Sequence, residues 1–129
     1  VLLNPVGVAC MSSGFGMRGG RMHNGVDLPA PAGAWVRAAA PGLVAAVRRS
    51  GASGLVVELL HADGTRTRYA HLGSVTPELA GGRKEVALGA RLGRVGRSGT
   101  TRGTHLHFEW VRDGRPVDPT GALGVKICS

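Results

Sequence analysis

Near its C-terminal end the chain carries Thr104-His105-Leu106-His107-Phe108-Glu109-Trp110. Side chains alternate along an extended strand, so His105, His107 and Glu109 share one face while Leu106, Phe108 and Trp110 share the other. The first face suits a site and the second a core. Two imidazoles on one strand face can hold a metal together, or one can bind while the other moves protons. Upstream, His23 and Asp27 stand four apart in His23-Asn24-Gly25-Val26-Asp27-Leu28-Pro29. Gly25, Val26 and Pro29 oppose a helix, and an extended segment places positions 23, 25 and 27 on one face, with Gly25 leaving space above it. Catalytic zinc commonly takes three protein ligands from imidazole nitrogen and carboxylate oxygen, leaving a fourth position for water. His23, Asp27 and one member of the His105/His107 pair supply that set. Of the remaining histidines, His71 is expected to share a strand face with Thr67 and Tyr69. His61, at a hairpin tip, is expected to be a solvent-exposed turn neighbour without chemistry.

The elements that position these residues read as strands. The chain has 22 glycines, 7 prolines and few aromatic residues, and no long stretch keeps a 3.6-residue apolar period. The fold class expected is therefore mostly β, with little helix. Residues 1–13 form a leading arm, and Gly14 to Met22 is too rich in glycine for a helix and reads as a loop. Trp35–Ala39, Leu43–Val47, Leu55–His61 and Thr65–Leu72 read as strands, the last two joined by Ala62-Asp63-Gly64, the clearest hairpin signal in the chain. Thr76 followed by Pro77 marks one short helical turn. Glu85 to Gly96 suits tight strands, and Arg97–Gly103 is a polar loop leading into the histidine strand. Asp113-Gly114 offers a second hairpin, and Pro116–Pro119 closes the domain. Asp118 is read as a turn residue, and Trp35 and Trp110 as packed side chains.

At 129 residues the chain is read as a single domain, residues 1–129 with a core of about 12–120. It opens on Val1, with its first methionine, Met11, inside the fold, so it is read as a processed or excised piece. Sixteen basic against eight acidic residues leave a net charge of +8, and all the bases but Lys84 and Lys126 are arginine. Such a surface associates with polyanions in general, including the acidic polymers of a cell envelope. The arginines are scattered, aromatic platforms are lacking and no nucleic-acid motif is present, so nucleic acid is not expected as a partner. No apolar run reaches membrane-spanning length. Cys10 and Cys128 lie near the two ends without metal-type spacing. A bridge tying the ends is expected, implying an oxidising compartment.

Taken in order, Ser-Gly-Phe-Gly-Met-Arg, Arg-Met-His-Asn-Gly-Val-Asp-Leu, Ala-Pro-Ala-Gly, Arg-Tyr-Ala-His-Leu, Gly-Arg-Ser-Gly and Thr-His-Leu-His-Phe-Glu resemble the successive motifs of lysostaphin-type (M23, LytM-like) zinc metallopeptidases. The resemblance runs from about Ser12 to Thr120. It implies a compact antiparallel β domain with a zinc-containing groove, in which Zn²⁺ is held by His23, Asp27 and His107 while His71 and His105 are catalytic without being ligands. No glutamate base of the HExxH kind is present, so a neutral imidazole must take a proton from zinc-bound water. His105 or His71 would do so, and the other would steady the oxyanion. The resemblance further implies cleavage of peptide cross-links in bacterial peptidoglycan, with D-alanyl to diaminopimelate bonds the first choice, and a periplasmic or secreted location. Some members of the family carry a tyrosine in the loop before HxxxD; this chain has Phe15 and Met17 there, which weakens a glycyl-glycine assignment. Arg18 and Arg21 flank the expected site, where they can meet substrate carboxylates. Glu109 is expected at the surface, its other role being to orient a metal-binding histidine.

Three rival readings remain on the residues. An inactive LytM-like module that binds peptidoglycan or regulates another hydrolase would be expected to lack ligands that are present here. A non-haem iron oxygenase shares the two-histidine, one-carboxylate set but has no use for the extra pair His71 and His105. A lipoyl- or biotin-carrier-like domain would need a lysine at a hairpin tip.

Overall fold

The computed structural model of the chain describes residues 2–99, 101 and 103–129. Val1, at the head of the leading arm, and Thr100 and Arg102, in the polar loop before the histidine strand, lie outside the described residues. In chain order the elements are β1 (Cys10–Met11), β2 (Gly16–Arg18), β3 (Arg21–His23), β4 (Val26–Pro29), β5 (Trp35–Arg37), β6 (Gly42–Ser50), β7 (Gly54–Leu60), β8 (Arg66–Val75), α1 (Pro77–Ala80), β9 (Glu85–Val86), β10 (Arg91–Val95), β11 (His105–Arg112), β12 (Arg115–Val117), α2 (Thr120–Leu123) and β13 (Lys126–Ile127). Nine strands make one antiparallel sheet in the order β12-β11-β8-β7-β6-β9, with β4 paired to β11 and β10 pairing with both β8 and β5.

The expected mostly-β architecture is what forms, and β11 lies at its junction. Its first half pairs with β4, its middle with β8 and its end with β12. Alternation along β11 buries Leu106 and Phe108 completely and leaves His105, His107 and Glu109 on the opposite face. Phe108 meets Tyr69 of β8 edge to face, ring centroids 5.4 Å apart, beside fully buried Leu28, Val57, Leu59 and Leu72. Asp113 and Gly114, both at positive φ, turn β11 into β12. Thr76 caps α1 with Pro77 in its first turn, as predicted.

Away from the histidine face, the structure departs from the sequence reading in four places. The glycine-rich run 14–22 is a hairpin, β2 paired to β3, because Gly19 and Gly20 both adopt the positive φ that a two-residue turn requires. The domain does not close at Pro119. Asp118 accepts a hydrogen bond from the Thr120 amide at 2.9 Å at the start of α2, and β13 then pairs in parallel with β1. Trp35 is only partly buried and has two arginines over its ring, Arg91 at 4.4 Å and Arg94 at 3.7 Å from the centroid.

His61 is the fourth. It is buried rather than exposed, and closes a hydrogen-bonded chain in which each group can serve once as donor and once as acceptor. The Ala39 amide donates to the Tyr69 hydroxyl (2.9 Å), Tyr69 to Thr67 (2.8 Å), Thr67 to Nε2 of His61 (2.8 Å), and Nδ1 of His61 to the Pro41 carbonyl (2.8 Å). With a proton on Nδ1, this polarity satisfies every member. Burial outweighs the hydrogen bonds to Thr67 and Ala39 and pushes the Tyr69 hydroxyl up to about 12.

The two ends are tied as expected. Cys10 and Cys128 form a disulfide across 118 residues of chain, and the Cys128 amide donates to the Met11 carbonyl at 2.9 Å.

Candidate metal centre and active-site groove

Pairing of β4 with β11 sets Asp27 directly opposite His107. The Asp27 backbone is fixed from its other side by the leading arm: the Ser12 amide donates to the Asp27 carbonyl and the Asp27 amide to the Ser13 carbonyl, both at 2.9 Å. Gly25 is glycine because β11 passes so close that a Cβ would lie 2.3 Å from the Phe108 carbonyl oxygen and 2.9 Å from Glu109 Cγ. The chain can therefore bring His23 and Asp27 over β11 only with a bare backbone at position 25.

Three donor atoms of His23, Asp27 and His107 lie within 4.8 Å of one another. Asp27 Oδ1 stands 3.4 Å from Nε2 of His23, 2.9 Å from Nδ1 of His107 and 3.5 Å from Nε2 of His105. His23 donates from Nδ1 to the Gly14 carbonyl at 2.7 Å, which fixes its tautomer and leaves Nε2 as a lone-pair donor. Two imidazole nitrogens and a carboxylate oxygen in this arrangement fit tetrahedral zinc, whose ligand atoms at about 2.0–2.1 Å would be roughly 3.4 Å apart.

His107 is held from both sides. Besides Asp27, its Nε2 is 2.9 Å from Oε2 of Glu109. Burial favours the neutral ring, but the hydrogen bonds to Asp27 and Glu109 and their charges outweigh it and raise His107 to about 9. The carboxylates respond in kind. Burial pushes both upward, yet the His107 hydrogen bond and the neighbouring histidines hold Asp27 below its ordinary value, and His107 with Arg68 does the same for Glu109. A metal at Nδ1 would replace one proton of His107 and leave the Nε2–H donated to Glu109, an arrangement that orients the ring. Glu109 is therefore not the surface residue expected at a strand end. Its side chain is 18% exposed and continues through Arg68, at 3.3 Å, to Glu58 of β7, at 2.6 Å.

His71 reaches the site by a backbone irregularity. Between β7 and β8 the register slips, Val57 facing Tyr69 but Leu55 facing Leu72, so β8 carries one extra residue there. His71 takes φ +62°, uncommon outside glycine, and the faces exchange: Thr67, Tyr69 and Leu72 are buried in the core while His71 turns to the histidine side. The expectation that His71 shares a face with Tyr69 is thus overturned, and the Tyr69 hydroxyl, committed to Thr67 and Ala39, is withheld from the groove. His71 donates from Nδ1 to the Ser98 carbonyl at 2.7 Å, and its ring meets that of His105 edge to face at 5.5 Å. His105 is held below its ordinary value, by burial first, against the pull of Asp27 and with the help of His71, His107 and His23.

These side chains line an open cavity of about 410 Å³ whose rim includes Arg18, the turn at Ala52 and Ser53, and Thr101. Arg18 bonds the Ser13 hydroxyl, whereas Arg21 is exposed and outside the cavity wall. A second cavity of about 420 Å³, lined by Leu43, Leu60 and Val86, contains His61 alone among the histidines, and both of its nitrogens are already committed. The convergent titratable side chains line the other groove. Sequence reasoning named its four histidines, its aspartate and Arg18, and missed its supports: the carbonyls of Gly14 and Ser98, and Arg68 with Glu58. The only signal for the carbonyls was the glycine in each flanking run.

Residues 21–119 match Peptidase family M23. The chain is 37% identical over 123 residues to the DD-carboxypeptidase/endopeptidase Mpg of Neisseria meningitidis, a match covering 91% of this chain and 28% of that protein. Among solved structures, a zinc-containing peptidase from Vibrio cholerae superposes with a TM-score of 0.75 at 32% identity, covering 85% of this chain and 35% of the other. The catalytic domain of lysostaphin from Staphylococcus simulans superposes with a TM-score of 0.74 at 26% identity, covering 88% and 89%. The chain thus spans little more than a quarter of the curated relative it matches.

Proposed function

Because this chain belongs to peptidase family M23, we propose that it is a zinc-dependent endopeptidase that hydrolyses peptide cross-links of bacterial peptidoglycan, at D-alanyl to diaminopimelate bonds. The observation that carries the reading is the convergence of four histidines and one carboxylate on a single groove, in two sets. His23, Asp27 and His107 form a ligand triad, and His71 and His105 stand beside it as a separate pair.

His23, Asp27 and His107 would hold Zn²⁺. Zinc held there supplies a Lewis acid that acidifies bound water and polarises the scissile carbonyl. The rest is done by the chain. Asp27 places its charge among three imidazoles, its Oδ1 being 2.9–3.5 Å from a nitrogen of each. His105, whose burial favours the neutral ring, is suited to accept the proton of the attacking water at Nε2 and return it to the leaving amine. His71, whose Nδ1–H is anchored on Ser98, would when protonated donate from Nε2 to the oxyanion. The same geometry also accommodates an exchange of these two roles. With Phe15 and Met17 in the loop where some relatives carry a tyrosine, the pair takes the whole task. A peptidoglycan substrate and the Cys10–Cys128 disulfide both support a location outside the cytoplasm, in the periplasm or secreted.

The test is incubation of zinc-loaded protein with purified sacculi, followed by separation of monomeric from cross-linked muropeptides. A rise in monomers that disappears on zinc removal and returns on its restoration is expected. An unchanged cross-linked fraction with zinc bound refutes the reading.

A further inference from the structure

The groove does not end at the histidines. Past His107 and Ser53, which line both spaces, it continues into a smaller polar cavity of about 130 Å³. Val56 and Ala70 form its floor, and Arg48, Ser50, Arg68 and Glu109 its walls. The charges around it do not cancel evenly. Glu58 accepts hydrogen bonds from Arg66 at 2.7 Å and Arg68 at 2.6 Å, and Glu109 is held by His107 at 2.9 Å and Arg68 at 3.3 Å. Three arginines thus face two carboxylates, and Arg48 is the one left over. Its guanidinium comes no nearer than 3.9 Å to Glu58 and makes no hydrogen bond among the described residues, and its side chain is 46% exposed. Two serines, Ser50 and Ser53, line the same space.

We propose that this cavity is a subsite for a carboxylate of the substrate, with Arg48 as its principal contact and Ser50 and Ser53 as supplementary donors. A planar guanidinium beside two hydroxyls matches a carboxylate, which accepts paired N–H bonds. The inference rests on the endopeptidase reading and deepens it. In a D-alanyl to diaminopimelate cross-link, the carbon bearing the scissile nitrogen also bears a carboxyl group. A peptide seated over the histidines therefore carries an anion immediately beside the bond to be cut, on the leaving-group side. Arg48 makes the cavity beyond His107 the place for that anion, and so distinguishes a free carboxylate from its amide. Arg48 is a specificity-determining residue that touches no reacting atom.

The experiment compares two cross-linked muropeptide dimers that differ only in whether that carboxyl group is free or carried as a primary amide. Zinc-loaded wild type, R48A and R48K are assayed on both, with zinc content measured for each variant. Wild type is expected to favour the free acid by roughly three- to tenfold in kcat/KM, the range for a half-exposed charged contact. R48A should process both substrates alike, its loss confined to the KM for the free acid, with zinc content unchanged. R48K should recover part of the preference. Equal kcat/KM of wild type on both dimers, or a preference that survives in R48A, overturns the subsite while leaving the endopeptidase reading intact. If zinc-loaded wild type cleaves neither dimer, that reading falls and the subsite falls with it.

Discussion

The proton on His107 competes directly with a metal. In the metal-free chain both ring nitrogens face carboxylates at 2.9 Å, and the group is raised to about 9. At pH 7, about two units lower, only about one molecule in a hundred offers Nδ1 unprotonated, and ligation must displace that proton. Apparent zinc affinity of the stripped protein should therefore climb about tenfold per pH unit from roughly pH 7, bend near pH 9, and reach a plateau above it about 100-fold higher than at pH 7. Competition with a chromophoric chelator at each pH, after correction for the chelator's own protonation, reads this out. About one proton should be released per zinc bound at pH 7.5. Replacing Glu109 with Gln removes one of the two anions that hold the proton. The levelling point should then fall by about one pH unit, and affinity at high pH should drop by about ten- to 100-fold through loss of the anionic acceptor. A corrected affinity that is flat between pH 7 and 9 would refute the competition between zinc and a carboxylate-held proton on His107.

Further outcomes follow from the same geometry. H107A should lose stoichiometric zinc, whereas H105A and H71A should retain it and lose turnover by about 10²- to 10⁴-fold, read by metal analysis beside muropeptide assays; loss of zinc from H105A would show the division of roles to be wrong. Because folding raises His107 above its unfolded value, its contribution to metal-free stability is fully present below about pH 6.5 and is lost as pH rises through about 9. Urea unfolding of stripped protein at pH 6 and pH 10 should differ by about 3 kcal/mol from this group, and the same comparison in H107Q should lack that increment. T67V keeps side-chain shape but strips His61 and Tyr69 of a shared partner, and should cost about 1–3 kcal/mol by thermal unfolding with little change in zinc affinity. Replacing both cysteines with serine should lower stability by about 4–5 kcal/mol in the chain-entropy treatment, measured by denaturant unfolding, and a change below about 1 kcal/mol would discount that treatment for this chain.

Much of the site was legible because strand alternation is a local rule. The faces of β11, the hairpins at Asp63-Gly64 and Asp113-Gly114, and the cap at Thr76 depend on neighbouring residues, and each formed as expected. His71 broke the rule because a bulge depends on the register between two strands. Nothing in Thr67-Arg68-Tyr69-Ala70-His71 marks the extra residue that exchanges the faces. His61 escapes a local reading for a similar reason: beside an Asp-Gly turn a histidine belongs in solvent, unless a distant carbonyl such as that of Pro41 comes down to receive it. Glu109, Arg68 and Glu58 lie on three different strands, β11, β8 and β7, so their pairing exists only once the sheet has assembled. The short β13 and α2 near the end carry no periodic signal and are defined by contacts with the opposite end of the chain.

The bond between Cys10 and Cys128 gives nearly the whole chain the connectivity of a ring. One cut by a foreign protease in any exposed loop within that ring opens it without releasing a fragment, because the two pieces stay joined through sulfur. Nicked molecules would migrate as intact protein until reduced, and the strands bearing His23, His71 and His107 would remain tethered at a high local concentration. Damage to one loop need therefore not separate the two halves of the site.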